Sequence, residues 1–259
     1  MRAAIIGLGQ IAWRYDGGQP ADGTALTHLS ALRQAGLDIM GATDPDAQAC
    51  AKFTTATGIN TQATVAALLD MTPDVVSIAS PTQLHADHLV ACLEAGVKYI
   101  WLEKPATTDP AATRDLAARA TALDARVMVG FQRRYMPSYL ALGQDDLGDL
   151  IGIDVTYSRG LETNGAHMVD LILWLLKDQM PDLLGVVPGP MPPVHVQEPC
   201  PSFLLQGAGN VPVTVTGLDL QYHSIDIVAH YSKGRRAVRH GGQTLLAEAK
   251  TPNLLFPGF

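Results

Sequence analysis

Apolar positions in the first half of the chain follow two alternating patterns. Short, largely apolar runs at residues 3–6, 38–43, 75–79, 99–102 and 126–131 read as strands, the first of them fully buried. Between them apolar residues recur at helical spacing, as at 24–35, 84–95 and 110–123. Gly36 and Gly96 close two of these helices, and Asp109 before Pro110 supplies an N-cap with proline in the first turn. Strand and helix in alternation predict a doubly wound parallel sheet with helices on both faces, residues 1–131. After Gln132 the pattern changes. A helix-like segment at 136–143 leads to a strand at 151–158 and a strongly apolar helix at 166–177. A proline-rich loop follows, then strand patterns at 202–205, 211–220, 225–231, 236–239 and 244–247 joined by short turns. Residues 132–259 are therefore expected to form a smaller α+β domain with an open, mainly antiparallel sheet. The fold class is α/β.

The first strand runs directly into Gly7-Leu8-Gly9-Gln10-Ile11-Ala12, a G-x-G-x-x-A pattern. In that position Gly7 makes the tight turn, Gly9 leaves room for a pyrophosphate, and Ala12 lets the first helix pack closely on the sheet. The helix N-terminus would offer its unpaired N–H groups to the phosphates. Asp44 ends the second strand, where a carboxylate accepts ribose hydroxyls and repels a 2′-phosphate. No Arg or Lys follows until Lys52, so NAD(H) is expected rather than NADP(H). Asp44 also suits the N-cap of the next helix, and the two roles are compatible. A loop rich in Gly, Pro and Asp at 15–23 places Asp44 later than the usual interval of about 20 residues.

Composition narrows the classes of function. With 47% hydrophobic and 17% charged residues the chain is globular. A net charge of −7 argues against nucleic acid as a partner. The apolar stretch 168–176 is broken by Asp170 and too short to span a bilayer, and no cleavable leader precedes the first strand, so a cytoplasmic protein is expected. Cys50, Cys92 and Cys200 lie far apart, without metal-ligand spacing, and read as reduced thiols.

Three further segments carry candidate chemistry. Ligands of open α/β sheets lie outside the carboxyl ends of the strands. That places Ser80-Pro81-Thr82-Gln83-Leu84-His85 beside a cofactor, with His85 either facing a nicotinamide ribose or capping backbone. Lys104, in Glu103-Lys104-Pro105, stands where a proton-transferring group is wanted. On a helix His167 shares a face with Asp170, Leu171 and Trp174, so Asp170 is placed to set the imidazole tautomer. Arg133 and Arg134 follow the last parallel strand. One is expected to bind an anionic substrate group, and the other, with Arg159, to make structural ion pairs.

Together these segments resemble the glucose–fructose oxidoreductase/inositol dehydrogenase/MocA family of NAD(P)-dependent dehydrogenases. The resemblance covers about residues 1–177 and includes Gly130-Phe131-Gln132-Arg133-Arg134-Tyr135-Met136-Pro137 and Gly165-Ala166-His167-Met168-Val169-Asp170. It implies a Rossmann domain, an open-sheet second domain, and hydride transfer at a ring carbinol or ketone of a sugar, sugar nucleotide or cyclitol. It implies Lys104 and His167 as the catalytic pair and a cis Lys104–Pro105 peptide. Gly7, Gly9, Gln10, Ile11, Asp44, Ser80, Pro81, His85, Glu103 and Lys104 would then contact the cofactor, and Arg133, Arg134, Asn164 and Asp170 the substrate. No metal is implied. Family members often carry an aspartate four residues before the histidine; here that residue is Thr163, so Asn164 or Glu162 substitutes, or catalysis is altered. Thr163 and a second domain short for the family keep open a regulatory homologue that binds NAD(H) or a sugar without turnover. An open sheet face implies a homodimer or higher homo-oligomer.

Overall fold

A computed structural model describes residues 1–18, 23–189, 198–220, 222, 224–251 and 255. They form two compact units, Met1–Gly130 and Phe131–Phe259. The first contains strands β1 (Arg2–Ile6), β2 (Asp38–Thr43), β3 (Thr61–Gln62), β4 (Val75–Ile78), β5 (Tyr99–Leu102) and β6 (Arg126–Val129). All pair in parallel, in the order β3-β2-β1-β4-β5-β6 of a dinucleotide-binding sheet. Helices α1 (His28–Gln34), α2 (Ala47–Thr57), α3 (Val65–Leu69), α4 (His85–Glu94) and α5 (Pro110–Ala122) cover the two faces. One cluster joins Ala4, Ile6, Val76 and Ile78 to Leu89 and Leu116; the other joins Ala3 and Ile5 to Leu29 and Phe53. Burial on both sides is why β1 has no polar alternation.

Three elements depart from the sequence pattern. The two-residue edge strand β3 has no periodicity to read and exists by pairing Thr61 with Ala42 and Gln62 with Thr43. The glycine-rich turn leads into a single π-helical turn, Gln10–Arg14, closed by the Tyr15 N–H on the Gln10 carbonyl at 3.2 Å, and not into a full helix. Helix α1 then starts at His28, four residues later than expected. Thr27 and Ser30 form a capping box there, and Asp16 holds the approach. Its carboxylate accepts from the Gly18 and Leu26 N–H groups at 2.8 and 2.9 Å, and from the Thr27 and Ser30 hydroxyls at 2.7 and 2.5 Å. The Leu26 amide is thereby occupied outside the helix. Gln19 to Asp22 of the same loop lie outside the described residues.

The second unit has short helix α6 (Pro137–Leu140), α7 (Ala166–Leu175), and strands β7 (Leu150–Ser158), β8 (Asp182–Val187), β9 (Ser202–Gly207), β10 (Val211–Leu218), β11 (Ile225–Tyr231), β12 (Gly234–Arg239) and β13 (Thr244–Ala249). Their order is β13-β12-β11-β7-β10-β9-β8, antiparallel except where β7 meets β10. Met168, Leu171 and Ile172 of α7 pack on one face of this sheet against Ile153, Val155, Val215 and Ile227. The opposite face of the central strands is polar: Asp154 accepts from the Thr214 hydroxyl and bonds His230 at 2.9 Å. Exposed apolar residues gather instead on edge strand β8, at Leu183, Leu184, Val186 and Val187. That strand falls where the sequence suggests loop, because none of its residues is buried and none alternates. Residues 190–197 of the proline-rich stretch lie outside the described residues. Among the described residues no helix is long and apolar enough to cross a membrane. All three cysteines are free, and burial pushes the Cys92 thiol up to about 12.

Partial burial of the Asp16 carboxyl acts to raise its pKa, but its four hydrogen bonds outweigh this and hold it at about 2. Because the folded value is depressed, the stabilisation is complete above the unfolded value of 3.8 and is lost as pH falls through about 2. Asp16→Asn should therefore melt below the wild-type chain at pH 7. The gap should shrink as pH falls from 4 towards 2 in paired thermal melts.

Candidate functional site

A groove of about 700 Å³ runs along the carboxyl ends of β1, β2 and β4. Gly7, Gly9, Gln10, Ile11, Asp44, Ser80 and Pro81 all line it. Gly7 leaves β1 with φ of 91°, and a Cβ there would lie 2.6 Å from the Ser80 nitrogen, so glycine is required twice over. At Gly9 a Cβ would meet nothing within 4 Å, so that side of the turn faces open space. Asp44 ties the site together. One carboxylate oxygen accepts from the Leu8 N–H at 2.7 Å and the other from the Asp46 N–H at 2.9 Å. The N-cap role considered for Asp44 belongs to Asp46, which accepts from the Gln48 N–H at 2.8 Å. Each Asp44 oxygen keeps a further lone pair.

His88, which the sequence reading passed over, also lines the groove and bonds the Ser80 hydroxyl at 2.9 Å. Burial holds its imidazole below the usual range, His85 adds to this, and Asp87 opposes it. Its spacing of one helical turn from His85 is the signal that could have found it. Tyr15, from the loop after the first turn, lines the groove as well.

His85 and Glu103, both expected at the cofactor, do not line this groove. The His85 ring is 1% exposed and lies between two backbone carbonyls, Pro105 and Ser80, each at 2.8 Å. The Glu103 carboxylate faces His28 Nε2 at 2.8 Å and accepts from the Lys104 N–H at 3.2 Å. A Cβ on Gly130 would sit 2.7 Å from that carboxylate. Lys104 follows β5, partly buried and outside the groove lining, and its peptide to Pro105 is cis.

In the second unit His167 occupies the first turn of α7, 6% exposed, with Phe131 edge-on at 5.7 Å. Asp170 does not serve it as a tautomer-setting partner. Its two oxygens take a bidentate pair from Arg134, at 2.9 Å from Nε and 2.5 Å from a terminal nitrogen. That hydrogen bonding raises the Arg134 pKa above its usual range. Arg134 and Asp170, both expected at the substrate, are thus paired with each other. Arg159 is exposed and makes no ion pair among the described residues. Arg133 donates to the Gly241 carbonyl at 2.9 Å and to the Tyr139 hydroxyl at 3.2 Å, while its buried Nε has no hydrogen-bond partner among the described residues.

Asn164, also expected at the substrate, is buried and donates to the Ser158 carbonyl at 2.7 Å. Glu162 is exposed. A carboxylate nevertheless stands at Thr163, supplied by Glu198, which accepts from the Thr163 hydroxyl at 2.9 Å and N–H at 3.0 Å. Nothing in the sequence links positions so far apart. Among the described residues no cluster of His, Cys, Asp and Glu could hold a metal ion.

Residues 1–131 match an oxidoreductase family with an NAD-binding Rossmann fold, GFO_IDH_MocA. The chain belongs to this family. It is 30% identical over 201 residues to a putative UDP-kanosamine synthase oxidoreductase subunit of Amycolatopsis mediterranei, covering 71% of this chain and 52% of that protein. It is 28% identical over 201 residues to inositol 2-dehydrogenase 3 of Saccharopolyspora erythraea, covering 70% of this chain and 55% of that protein. The chain thus spans about half the length of these relatives. The fold is similar to the WlbA dehydrogenase of Bordetella pertussis, solved with NADH and UDP-GlcNAcA, at a TM-score of 0.80 and 16% identity, covering 98% of this chain and 82% of that one. A putative myo-inositol dehydrogenase from Sinorhizobium meliloti gives a TM-score of 0.75 at 20% identity, covering 97% and 82%.

Proposed function

We propose that the chain is an NAD(H)-dependent dehydrogenase acting on a ring carbinol or ketone of a sugar, sugar nucleotide or cyclitol. The observation that carries this reading is the groove itself. The open side of Gly9 suits a pyrophosphate, and the Asp44 carboxylate, fixed by the Leu8 N–H, suits a pair of ribose hydroxyls. Among the described residues the groove lining contains neither Lys nor Arg, so a 2′-phosphate would find a carboxylate and no countercharge there. Gly7, Gly9, Gln10, Ile11, Asp44, Ser80, Pro81 and His88 would hold the dinucleotide, which when bound supplies the hydride chemistry.

The protein's own part is placement and proton handling. Lys104, at the carboxyl end of the strand, is suited to orient a substrate hydroxyl and exchange its proton. His167 is suited to hydrogen-bond the reacting oxygen as acid or base. Arg133, with one buried guanidinium nitrogen not used by the fold, is the better of the two arginines for an anionic substrate group. The curated relatives named for inositol and for a UDP-linked sugar support this substrate class. Glu198 at the Thr163 turn favours turnover over binding alone, because a carboxylate is present although the residue at 163 cannot ionise.

Self-association as a homodimer or higher belongs to the same reading, supported by the unpaired, apolar edge β8. Light scattering should give a mass of at least two chains; the mass of one chain would overturn it.

Two further outcomes test the enzyme. NADH should bind at least about tenfold more tightly than NADPH, roughly 1.4 kcal/mol, by quenching titration, and Asp44→Ala should narrow that ratio. Lys104→Ala should abolish absorbance change at the nicotinamide band with a panel of cyclitols and sugar nucleotides, while NADH affinity stays within about threefold. Loss of cofactor binding together with activity would assign Lys104 to the fold instead.

A further inference from the structure

Next to Lys104 lies a polar chain that is not part of the groove lining. Ser77, fully buried in β4, bonds His28 Nδ1 at 2.6 Å. His28, 1% exposed, bonds the Glu103 carboxylate through Nε2 at 2.8 Å. The other Glu103 oxygen accepts from the Lys104 N–H at 3.2 Å. A carboxylate only accepts, so Nε2 carries the proton, and the Ser77 hydroxyl is left to donate to Nδ1. The Trp101 indole fixes the ring plane by stacking on His28, with centroids 3.8 Å apart and planes 15° from parallel.

Serine, histidine and acid in a row invite comparison with a nucleophilic triad, but the geometry excludes it. Ser77 is 0% exposed, so no substrate carbonyl reaches its hydroxyl. The chain ends instead on a backbone N–H. On the far side of the lysine the Pro105 carbonyl is held by His85 at 2.8 Å. Main-chain groups flanking the Lys104 side chain are therefore tied to two histidines, each 1% exposed, from different helices. Gly130 keeps clear the space that the Glu103 carboxylate occupies.

We propose that Ser77, His28 and Glu103, with His85 on the opposite side, are positioning residues that aim Lys104. Glu103 acts through the peptide that follows it and not on the cofactor. This rests on Lys104 being the proton-handling residue, but its test needs neither cofactor nor turnover.

The experiment is competitive acetylation of the full chain, read by peptide mass spectrometry as the labelling rate of Lys104 over that of Lys98. Lys98 is an exposed reference that donates to the Leu123 carbonyl away from the turn. In a folded His28→Phe chain the ratio should change by about threefold or more. His28→Gln keeps an N–H near the Nε2 position and should restore it. An unchanged ratio in His28→Phe, or an equal change in His28→Gln, overturns the proposal. Should His28→Phe fail to fold, Glu103→Gln decides: a shifted ratio supports the positioning role and an unchanged one overturns it. Absence of dehydrogenase activity in the wild-type chain would sink the proposed function and leave this labelling result standing. Where activity is found, His28→Phe should lower kcat with little change in NADH affinity.

Discussion

A parallel sheet brings the carboxyl ends of its strands into one row, and polar groups there that are cut off from water must find partners in neighbouring turns. The bond from the Leu8 N–H to Asp44, 2.7 Å long, joins the end of β1 to the end of β2. His85 joins the Ser80 turn after β4 to the Pro105 turn after β5. His28 links Ser77 in β4 to Glu103 just after β5. The groove is thus bounded by turns that hold one another. An amide or hydroxyl buried without such a partner costs about 1–3 kcal/mol, more than an ordinary hydrogen bond contributes when made.

The second unit treats its candidate residues in the same way. The helix carrying His167 is anchored one turn on by the Arg134–Asp170 pair, and the turn before it is tied to Glu198, Pro199 and Cys200 by bonds from Thr163, Leu161 and Gly160. Most polar residues near these sites bond to one another or to backbone. Asn164, Arg134 and Asp170 read as chemistry from the sequence because their types suit it. In the structure each of them hydrogen-bonds to backbone or to another of the three.

Elements with strong local signals were legible. The runs at Asp38–Thr43, Tyr99–Leu102 and Ile225–Tyr231 are strands over those very bounds, and Asp109 caps α5 ahead of Pro110 as its position suggests. What escaped was structure made by distant partners. β3 is two residues held by β2, and β8 is an exposed strand held, among the described residues, by β9 alone. The delayed start of α1 depends on Asp16, more than ten residues earlier in the chain.

Local order in the chain was sufficient to determine the alternation of elements, the glycine turn after β1, and the types of residue at each strand end, because each rests on neighbours within a few positions. Which of those residues stay available was decided only in three dimensions. A side chain's hydrogen-bonding capacity is finite, and whether Asp170 meets His167 or Arg134, or a carboxylate reaches Thr163 from Glu198, depends on chain segments that sequence distance does not relate.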